Sequence, residues 1–344
     1  MMQVIKKYRL FLILFVLFTG CSTIHEFPDD SPVEPSLIEV DITLAIDMRF
    51  YSEIMQTRAA MMPEDGYDIR YIVDVYEVLN GNGNGNGNNG LGRLVARIVR
   101  TEESIISQGI YEIQETLRLS AGQYRLLTWI DFVKRGTEYD VHHDASNLHN
   151  ISLLPQNGQH VGFRTTRDAF TARYNLDLTP YEGQRYMSYL VEKEVQRPFA
   201  KYRIIATDIE AFRAYHRSSY ASARPAQTNL AYNLFFPLGY NANLLQPTNF
   251  TAGKTYSYSI VDDESEQELT IASNLVFMGD DTFYLVDFEI LSADGRVINT
   301  INGLRINLRR NHITIIRGEF LTRDINNTGI GIDDGFSEEI IIKI

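Results

Sequence analysis

The sequence predicts an all-β protein built as two tandem β-sandwiches, on three observations. Many short segments alternate apolar and polar residues with period two, the pattern of a strand with one buried and one exposed face. Turn signals separate these segments roughly every ten residues, as in sandwich folds. Aromatic residues are plentiful, with 20 Tyr and 18 Phe against one Trp among 344 residues, and such side chains are enriched in sheets.

The N-terminus has the layout of a secretory signal peptide. Lys6, Lys7 and Arg9 precede an unbroken apolar run at residues 10–18, and a small-residue site ends at Cys21. As a helix this run would span roughly 14 Å, about half of a bilayer core, so it is not a membrane span. A cysteine at the cut point predicts a lipoprotein signal peptide at residues 1–20, with Cys21 as the acylated new N-terminus.

Composition excludes several classes of function. Without residues 1–20 the chain would have 324 residues and a net charge of −15. Such a surface repels nucleic acid and anionic lipid headgroups, so we expect no nucleic-acid partner and membrane attachment through acyl chains alone. Cys21 is the only cysteine, which rules out a disulfide within the chain. The length indicates two domains rather than one core.

The elements after the signal peptide begin with a polar, proline-bearing tether at residues 21–36. A strand follows at Val40 to Phe50, and Tyr67 to Leu79 alternates in the same way. The segment Asn80 to Gly90 reads NGNGNGNGNNG and predicts a surface loop. A phosphate-binding glycine loop would need a helix after it, whereas residues 91–99 have a strand pattern.

The rest of the chain continues the strand–turn rhythm, with one predicted helix at Thr166 to Tyr174. A domain boundary is predicted near Pro198, which gives domains at residues 37–198 and 199–344. In the first domain, further strands are predicted at residues 110–119, 124–133, 150–154 and 187–195. In the second, strands are predicted at residues 201–208, 230–236, 255–261, 269–277, 283–291, 304–308, 311–321 and 339–344, with turns at Asp294-Gly295 and Asn302-Gly303.

No constellation of side chains predicts an enzyme, a cofactor or a bound metal. The densest group of potential metal ligands is His142, His143, Asp144 and His149. Their spacing matches no zinc motif, so we interpret them as solvated loop residues, with a metal site as the alternative. A calcium site at Asp324 to Asp334 is a weaker alternative, because the segment lacks the EF-hand spacing.

Aromatic side chains could present a binding surface. Trp129 lies inside an apolar strand, so we predict a core position for it rather than a ligand-stacking role. The tyrosine-bearing stretch Tyr215 to Tyr220 is interpreted as a loop between strands, with an exposed binding surface as the alternative.

Several segments together resemble the fimbrillin-type lipoproteins of Bacteroidetes, near the FimB-type fimbrial anchor and accessory subunits. They occur in the expected order and span most of the chain after the signal peptide. The segments are YRLLTWIDF (Tyr124 to Phe132), TRDAF (Thr166 to Phe170), VQRPFAKYRIIATDI (Val195 to Ile209), NHITIIRGEFLT (Asn311 to Thr322) and IGIDDGF (Ile330 to Phe336).

This resemblance implies two transthyretin-like β-sandwich domains and a lipid anchor in the outer membrane at the cell surface. It also implies a role as a fimbrial anchor, accessory or pilin-like subunit, with other fimbrial subunits as partners. In polymerising members, a protease cuts at a basic residue to remove the first strand, and a strand of a neighbouring subunit fills the groove. Here the candidate cleavage sites are Arg58 and, within the first strand pattern, Arg49. Anchor-type members keep both the lipid and the strand, and both alternatives stay open.

A different function is also compatible with a lipidated β-sandwich chain. The alternative is a surface lipoprotein that binds glycans for a polysaccharide-uptake system, with a host or glycan ligand. The C-terminal segment Glu339 to Ile344 could be donated to a neighbour, or could simply close the second sandwich as an edge strand.

Overall fold

Sheet dominates the computed structural model, which describes residues 37–47, 66–79, 90–103, 110–156, 162, 165–184, 188–322 and 336–343. In this part of the chain 19 strands form five sheets, so the all-β prediction is confirmed. Two short helices, α1 (Ile209–Tyr215) and α2 (Tyr220–Ala223), follow one another. Among the described residues, no helix is long and apolar enough to span a membrane.

The first half of the chain forms a sandwich of two sheets. One sheet has three strands in the order β4-β1-β9, and the other has four in the order β3-β2-β5-β8. The strands are β1 (Ile38–Asp47), β2 (Tyr67–Val78), β3 (Leu91–Glu103), β4 (Ile110–Leu119), β5 (Gln123–Lys134), β6 (His143–Asp144), β7 (Ile151–Leu153), β8 (Ala169–Asp177) and β9 (Ser188–Glu194).

The second half forms another sandwich of two four-stranded sheets. Their orders are β15-β10-β18-β19 and β14-β11-β16-β17. The strands are β10 (Phe199–Ala206), β11 (Pro225–Tyr232), β12 (Phe236–Asn241), β13 (Gln246–Thr251), β14 (Thr255–Ser259), β15 (Leu269–Phe277), β16 (Thr282–Ser292), β17 (Val297–Leu308), β18 (His312–Gly318) and β19 (Phe336–Lys343).

The two sandwiches share one connectivity. Each begins with a strand that pairs antiparallel with one neighbour and parallel with another, namely β1 with β4 and β9, and β10 with β15 and β18. In the facing sheets, β3-β2-β5-β8 corresponds to β14-β11-β16-β17. The chain passes from one sandwich to the other between β9 and β10, beside Pro198. Ser36–Ile344 is nevertheless one compact unit, so two separately folding domains stay a prediction.

A fifth sheet links the two halves, because its strands come from insertions in both. Its order is β13-β12-β7-β6, where β6 and β7 lie between β5 and β8 in sequence, and β12 and β13 lie between β11 and β14. Gly239 of β12 lies opposite Ser152 of β7. A Cβ atom at Gly239 would lie 2.7 Å from the carbonyl oxygen of Ile151, so only glycine allows the two halves to approach this closely.

Three hydrophobic clusters match this architecture. One fills the first sandwich and one fills the second. The third combines residues of both halves, including Trp129 and Leu127 from β5 and Phe199, Leu275 and Phe277 from the second sandwich. Burial of Trp129 confirms its predicted place in the core.

Three sequence-based predictions of local structure are wrong. The helix predicted at Thr166 to Tyr174 is a 3₁₀ turn (Thr165–Arg167) followed by β8, whose side chains alternate into the core. Asn302-Gly303 is no turn between strands but a bulge inside β17, opposite Asp287 of β16. Residues 230–236 are not one strand, because β11 ends at Tyr232 and β12 begins at Phe236.

The connection between β10 and β11 also differs from its interpretation as a plain loop. Tyr215 ends α1 and Tyr220 begins α2. Tyr215 is 84% exposed, whereas the Tyr220 hydroxyl donates a hydrogen bond to Asp262. The two tyrosines therefore do not form one exposed surface.

Candidate functional site

The first strand, β1, lies in the middle of its sheet with a hydrogen-bonded neighbour on each side. It runs antiparallel to β4, from Ile38 opposite Leu119 to Asp47 opposite Ile110. It runs parallel to residues 188–194 of β9. Removal of β1 would therefore leave two strand edges with unpaired backbone groups on either side of one gap.

Alternate side chains of β1 fill the core of the first sandwich. Ile38, Val40, Ile42, Leu44 and Ile46 are each at most 3% exposed. Burial of one aliphatic side chain contributes about 1.5–3 kcal/mol. As an upper estimate, the five side chains together contribute about 7.5–15 kcal/mol, which is comparable to the net stability of a typical domain. The first sandwich therefore needs a strand of this apolar pattern in this place.

The other face of β1 is outward and polar. The Asp41 carboxylate accepts hydrogen bonds from Ser188 Oγ of β9 at 2.6 Å and from Thr116 Oγ1 of β4 at 2.8 Å. These two hydrogen bonds lower the pKa of Asp41. One outward-facing side chain thus bonds to both neighbouring strands and, together with the apolar pattern, favours this strand register.

The predicted lipidation and cleavage residues lie outside the described part of the chain. These residues are Cys21, Arg49 and Arg58. The weaker calcium candidate at Asp324 to Asp334 also lies outside the described residues. The described strand β1 ends at Asp47. Acylation of Cys21 and cleavage at Arg49 or Arg58 therefore stay predictions.

The last described strand, β19, is the edge of its sheet. It pairs antiparallel with β18, from His312 opposite Lys343 to Gly318 opposite Phe336. The predicted strand at Glu339 to Ile344 is therefore present through Lys343 and begins three residues earlier.

The interpretation of the histidine group as solvated loop residues is wrong for two of its members. His143 is 1% exposed and His142 is buried, and His142 Nε2 contacts Thr166 Oγ1 at 2.9 Å. The His143 ring packs among Trp129, Phe199 and Phe277, with centroids at 5.3, 5.8 and 6.2 Å. Strand β6 places His143 there, between the two sandwiches.

The four members do not converge on one point. Asp144 accepts hydrogen bonds from Ser146, and the half-buried His149 packs edge-on against Tyr76. In the described residues, no group of three or more His, Cys, Asp or Glu side chains is arranged to hold a metal ion.

His143 instead belongs to a buried ionic network around Asp131. Arg70 of β2 donates to both carboxylate oxygens of Asp131, at 2.9 and 2.8 Å. Trp129 Nε1 donates to the same carboxylate at 3.1 Å, and His143 Nδ1 lies 3.6 Å from it. A second carboxylate, that of Asp140, accepts from Arg70 at 2.7 Å.

Burial and charge set the protonation states in this network. Burial alone would raise the pKa of Asp131, but the contacts of its carboxylate with His143 and Arg70 outweigh burial and lower the pKa. Burial dominates at His143 and lowers its pKa, although Asp131 opposes this shift. The network therefore holds an ionised Asp131 paired with Arg70 beside a neutral imidazole.

Sequence reasoning missed Arg70 and Asp131, although a signal was present. Both are charged residues inside apolar strand segments, YDIRYIV and YRLLTWIDFV. In β2 the period-two pattern places Arg70 on the same face as Ile72, which packs in the cluster shared by both halves. A charge on that face indicates a buried partner.

Polar contacts also join the two halves directly. Arg167 donates to Asn274 Oδ1 at 3.2 Å and to the Leu275 carbonyl at 3.1 Å, both in β15. Arg197, just before β10, donates to Asp168 at 2.7 Å. Arg167 and Asp168 belong to the segment TRDAF, and Arg197 belongs to VQRPFAKYRIIATDI. These charged residues of the two segments therefore have structural partners.

Comparison with known proteins identifies a family. A family model described as a family of unknown function, DUF6562, matches residues 33–344. No protein with a curated description matches the chain.

The solved structures to which this chain is similar include three from Porphyromonas and Bacteroides species. The fimbrial anchor protein Mfa2 from Porphyromonas gingivalis is 11% identical, with 89% of this chain and 97% of that chain covered and a TM-score of 0.43. A proposed cell adhesion protein from Bacteroides eggerthii is 10% identical, with 90% and 97% covered and a TM-score of 0.45. A proposed adhesin from Bacteroides ovatus is 13% identical, with 84% and 87% covered and a TM-score of 0.38.

Proposed function

This chain belongs to the DUF6562 family, and we propose that it is a cell-surface lipoprotein that serves as a fimbrial anchor, accessory or pilin-like subunit. Acyl chains on Cys21 tether it to the outer membrane, and it assembles with other fimbrial subunits by β-strand complementation. The resemblance of its sequence segments to fimbrillin-type lipoproteins supports this role, as does the lipoprotein signal at residues 1–20.

The observation that carries the proposal is the position of β1. This strand follows the predicted tether and fills a groove between β4 and β9 with five buried aliphatic side chains. A groove of this kind accepts a strand of matching alternation from another chain, because main-chain hydrogen bonds supply affinity and the pockets supply register. Cleavage at Arg58 or Arg49 would release β1, and an intact chain would act as an anchor.

The glycan-binding alternative has less support. A sugar platform needs exposed aromatic rings, and the single tryptophan, Trp129, is fully buried. Tyr139 and Tyr215 are exposed but lie in separate segments of the chain, and the other exposed rings of the described residues are phenylalanines (Phe235, Phe250 and Phe283).

One experiment separates the two parts of the proposal. Membranes and sheared fimbriae are collected from cells of the producing bacterium that carry the wild-type chain, Cys21→Ala, or a deletion of Glu339 to Ile344. We expect Cys21→Ala to leave the detergent phase and appear in the medium, because its acylation site is lost. We expect the deletion variant to stay in the membrane but to be absent from fimbriae, because it has no terminal strand to donate.

The control is Lys343→Ala, which alters one side chain of β19 and keeps the strand. It should partition and assemble as the wild type does. Unchanged detergent partitioning of Cys21→Ala would refute lipid tethering. Normal amounts of a folded deletion variant in sheared fimbriae would refute complementation through this strand.

A further inference from the structure

Two open clefts of opposite charge lie on the two sandwiches. The acidic face is the outer side of the sheet β4-β1-β9, where Asp41, Glu112 and Glu192 border a cleft of about 690 Å³. The basic cleft lies at one end of the second sandwich, where Arg305, Arg309 and other residues border a space of about 630 Å³. The net charge of the whole chain is −12, so the basic cleft is opposite in charge to the molecule as a whole.

The acidic face is built by strand register. Thr43 of β1 lies opposite Glu192 of β9, and Ala45 lies opposite Glu112 of β4. Glu112 and Glu192 are exposed, and within the described part of the chain neither forms an ion pair. Small side chains between carboxylates leave room for cationic side chains of a partner.

The basic cleft holds an arginine in a fixed orientation. The Arg305 guanidinium lies over the Phe283 ring, with its Cζ atom 4.0 Å from the centroid. Its Nε donates to Asn307 Oδ1 at 3.1 Å. Stacking and this hydrogen bond orient the guanidinium, while its terminal nitrogens remain available to a carboxylate.

A second arginine extends the positive character of the cleft, and a histidine borders it. Arg309 lies 3.8 Å from Asp281, a long contact between side chains that are both more than half exposed. The Nδ1 atom of His312 contacts the Arg310 carbonyl at 2.8 Å, so its Nε2 is the nitrogen left to face a ligand. The cleft therefore has two arginines against one aspartate.

We propose that the basic cleft of one copy binds the acidic face of a second copy of this chain. The two surfaces lie on different sandwiches, so the contact is heterologous and generates a row of copies rather than a closed pair. Single surface ion pairs are weak, but contacts repeated along a fibre or a membrane act at high effective concentration. The inference rests on the proposed assembly role and adds to it a lateral or end-to-end contact that needs no strand exchange.

The test is a charge exchange followed by sedimentation velocity. The full-length chain is studied in detergent at about 0.15 M salt, where the Debye length is about 8 Å and long-range repulsion is screened. The reversed-cleft variant carries Arg305→Glu with Arg309→Glu, and the reversed-face variant carries Glu112→Lys with Glu192→Lys. The control, Arg93→Glu with Arg217→Glu, changes net charge by the same amount as the reversed-cleft variant, at exposed arginines outside the cleft.

We expect the wild type and the control to self-associate with rising concentration, and each reversed variant alone to associate at least tenfold more weakly. An equimolar mixture of the two reversed variants should associate as the wild type does, because the acidic cleft of one meets the basic face of the other. A wild type that stays monomeric, or a mixture without recovery, would overturn the inference. Binding of polygalacturonate by a monomeric wild type, lost in the reversed-cleft variant, would overturn it in favour of an acidic-glycan site. None of these outcomes would affect the tests with Cys21→Ala and with the deletion of Glu339 to Ile344, so failure of this inference is distinguishable from failure of the proposed function.

Discussion

At the residue scale, the Asp131 network explains why charged side chains occupy apolar strands. The Arg70–Asp131 pair is buried with both carboxylate oxygens bonded, which compensates in part for the desolvation of two charges. Replacing both residues by apolar ones can leave stability unchanged, whereas removing one partner leaves a buried charge unpaired. The network therefore specifies how β2, β5 and β6 fit together more than it raises stability.

His143 makes the stability of the protein depend on pH. Burial lowers the folded-state pKa of His143 below 6.5, so at pH 5.5 the unfolded chain binds more protons at this position than the folded chain. Stability must therefore fall as pH decreases through about 6.5. Between pH 7.5 and 5.5 this one group removes at most about 1.4 kcal/mol from the free energy of unfolding.

Urea unfolding at the two pH values checks this prediction, with His143→Gln compared with the wild type. The variant loses stability at both pH values but should show a smaller difference between them. His149→Gln is the comparison variant: burial lowers the pKa of His149 too, so its loss should also reduce the pH difference, but by less, because His149 is only half-buried and lies outside the network. An unchanged pH difference in His143→Gln would contradict the assignment. In the wild type Asp131 does not contribute to this pH difference, because contact with His143 and Arg70 lowers its pKa.

At the element scale, sequence alone locates most of the strands. β4 and β15 have the predicted bounds, because their alternation is regular and turns flank them. The sequence predicts a helix where the structure has β8, although Phe170, Ala172 and Leu176 alternate into the core, because the threonine and charged residues before this strand are also typical of a helix start. The short strands β6, β12 and β13 were missed, because their pairing depends on partners from the other half of the chain.

The candidate site was predictable only in part, for physical reasons. The alternation of β1 identified a strand with one buried face, but not its central place between β4 and β9, which depends on long-range pairing. The spacing of His142 and His143 contains no information on burial, because polar neighbours such as Asp144 and Ser146 surround them in sequence. The aromatic rings that enclose His143 come from β5, β10 and β15.

The bulge in β17 depends on glycine at one position. Gly303 has φ +69°, and its backbone nitrogen donates to Asp287 Oδ1 at 2.6 Å. We expect Gly303→Ala to lower the free energy of unfolding by about 1–2 kcal/mol, because the left-handed conformation is unfavourable for alanine. No other atom lies within 4 Å of a Cβ atom at this position, so steric clash adds nothing.

Gly303→Asn is the matched control, because asparagine tolerates the left-handed region better than alanine does. Urea unfolding at pH 7.5 should rank stability as glycine, then asparagine, then alanine. Equal stability of the glycine and alanine forms would mean that the bulge relaxes.

At the scale of the whole molecule, one connectivity occurs twice and a shared core joins the copies. A repeated seven-strand pattern would allow two independent folding units. The third cluster argues against independence, because Trp129 from β5 and Tyr240 from β12 pack in one cluster with Phe199 and Phe277. The two sandwiches unfold together if the free energy contributed by this shared core exceeds the difference in stability between them.

We expect the wild-type chain to unfold in a single cooperative transition. Phe277 lies at the centre of the shared core, 4.5 Å from the Phe199 ring and 5.5 Å from the Tyr240 ring. Phe277→Ala removes contacts with both, at a cost of about 3–5 kcal/mol, and should split calorimetric unfolding into two transitions. Phe288→Ala is the control, because Phe288 is buried within the second sandwich alone.

The control should unfold at a lower temperature than the wild type but still in one transition. Its shared core is intact, so the two sandwiches remain coupled and unfold together. Two resolved transitions in the wild type would show that the sandwiches fold separately and that the cluster is only a contact surface. A single transition in Phe277→Ala would place the coupling elsewhere, in the pairing of β12 with β7 or in the contacts of Arg167 with Asn274 and Leu275. Calorimetry of these two variants therefore measures the thermodynamic coupling between the two sandwiches directly.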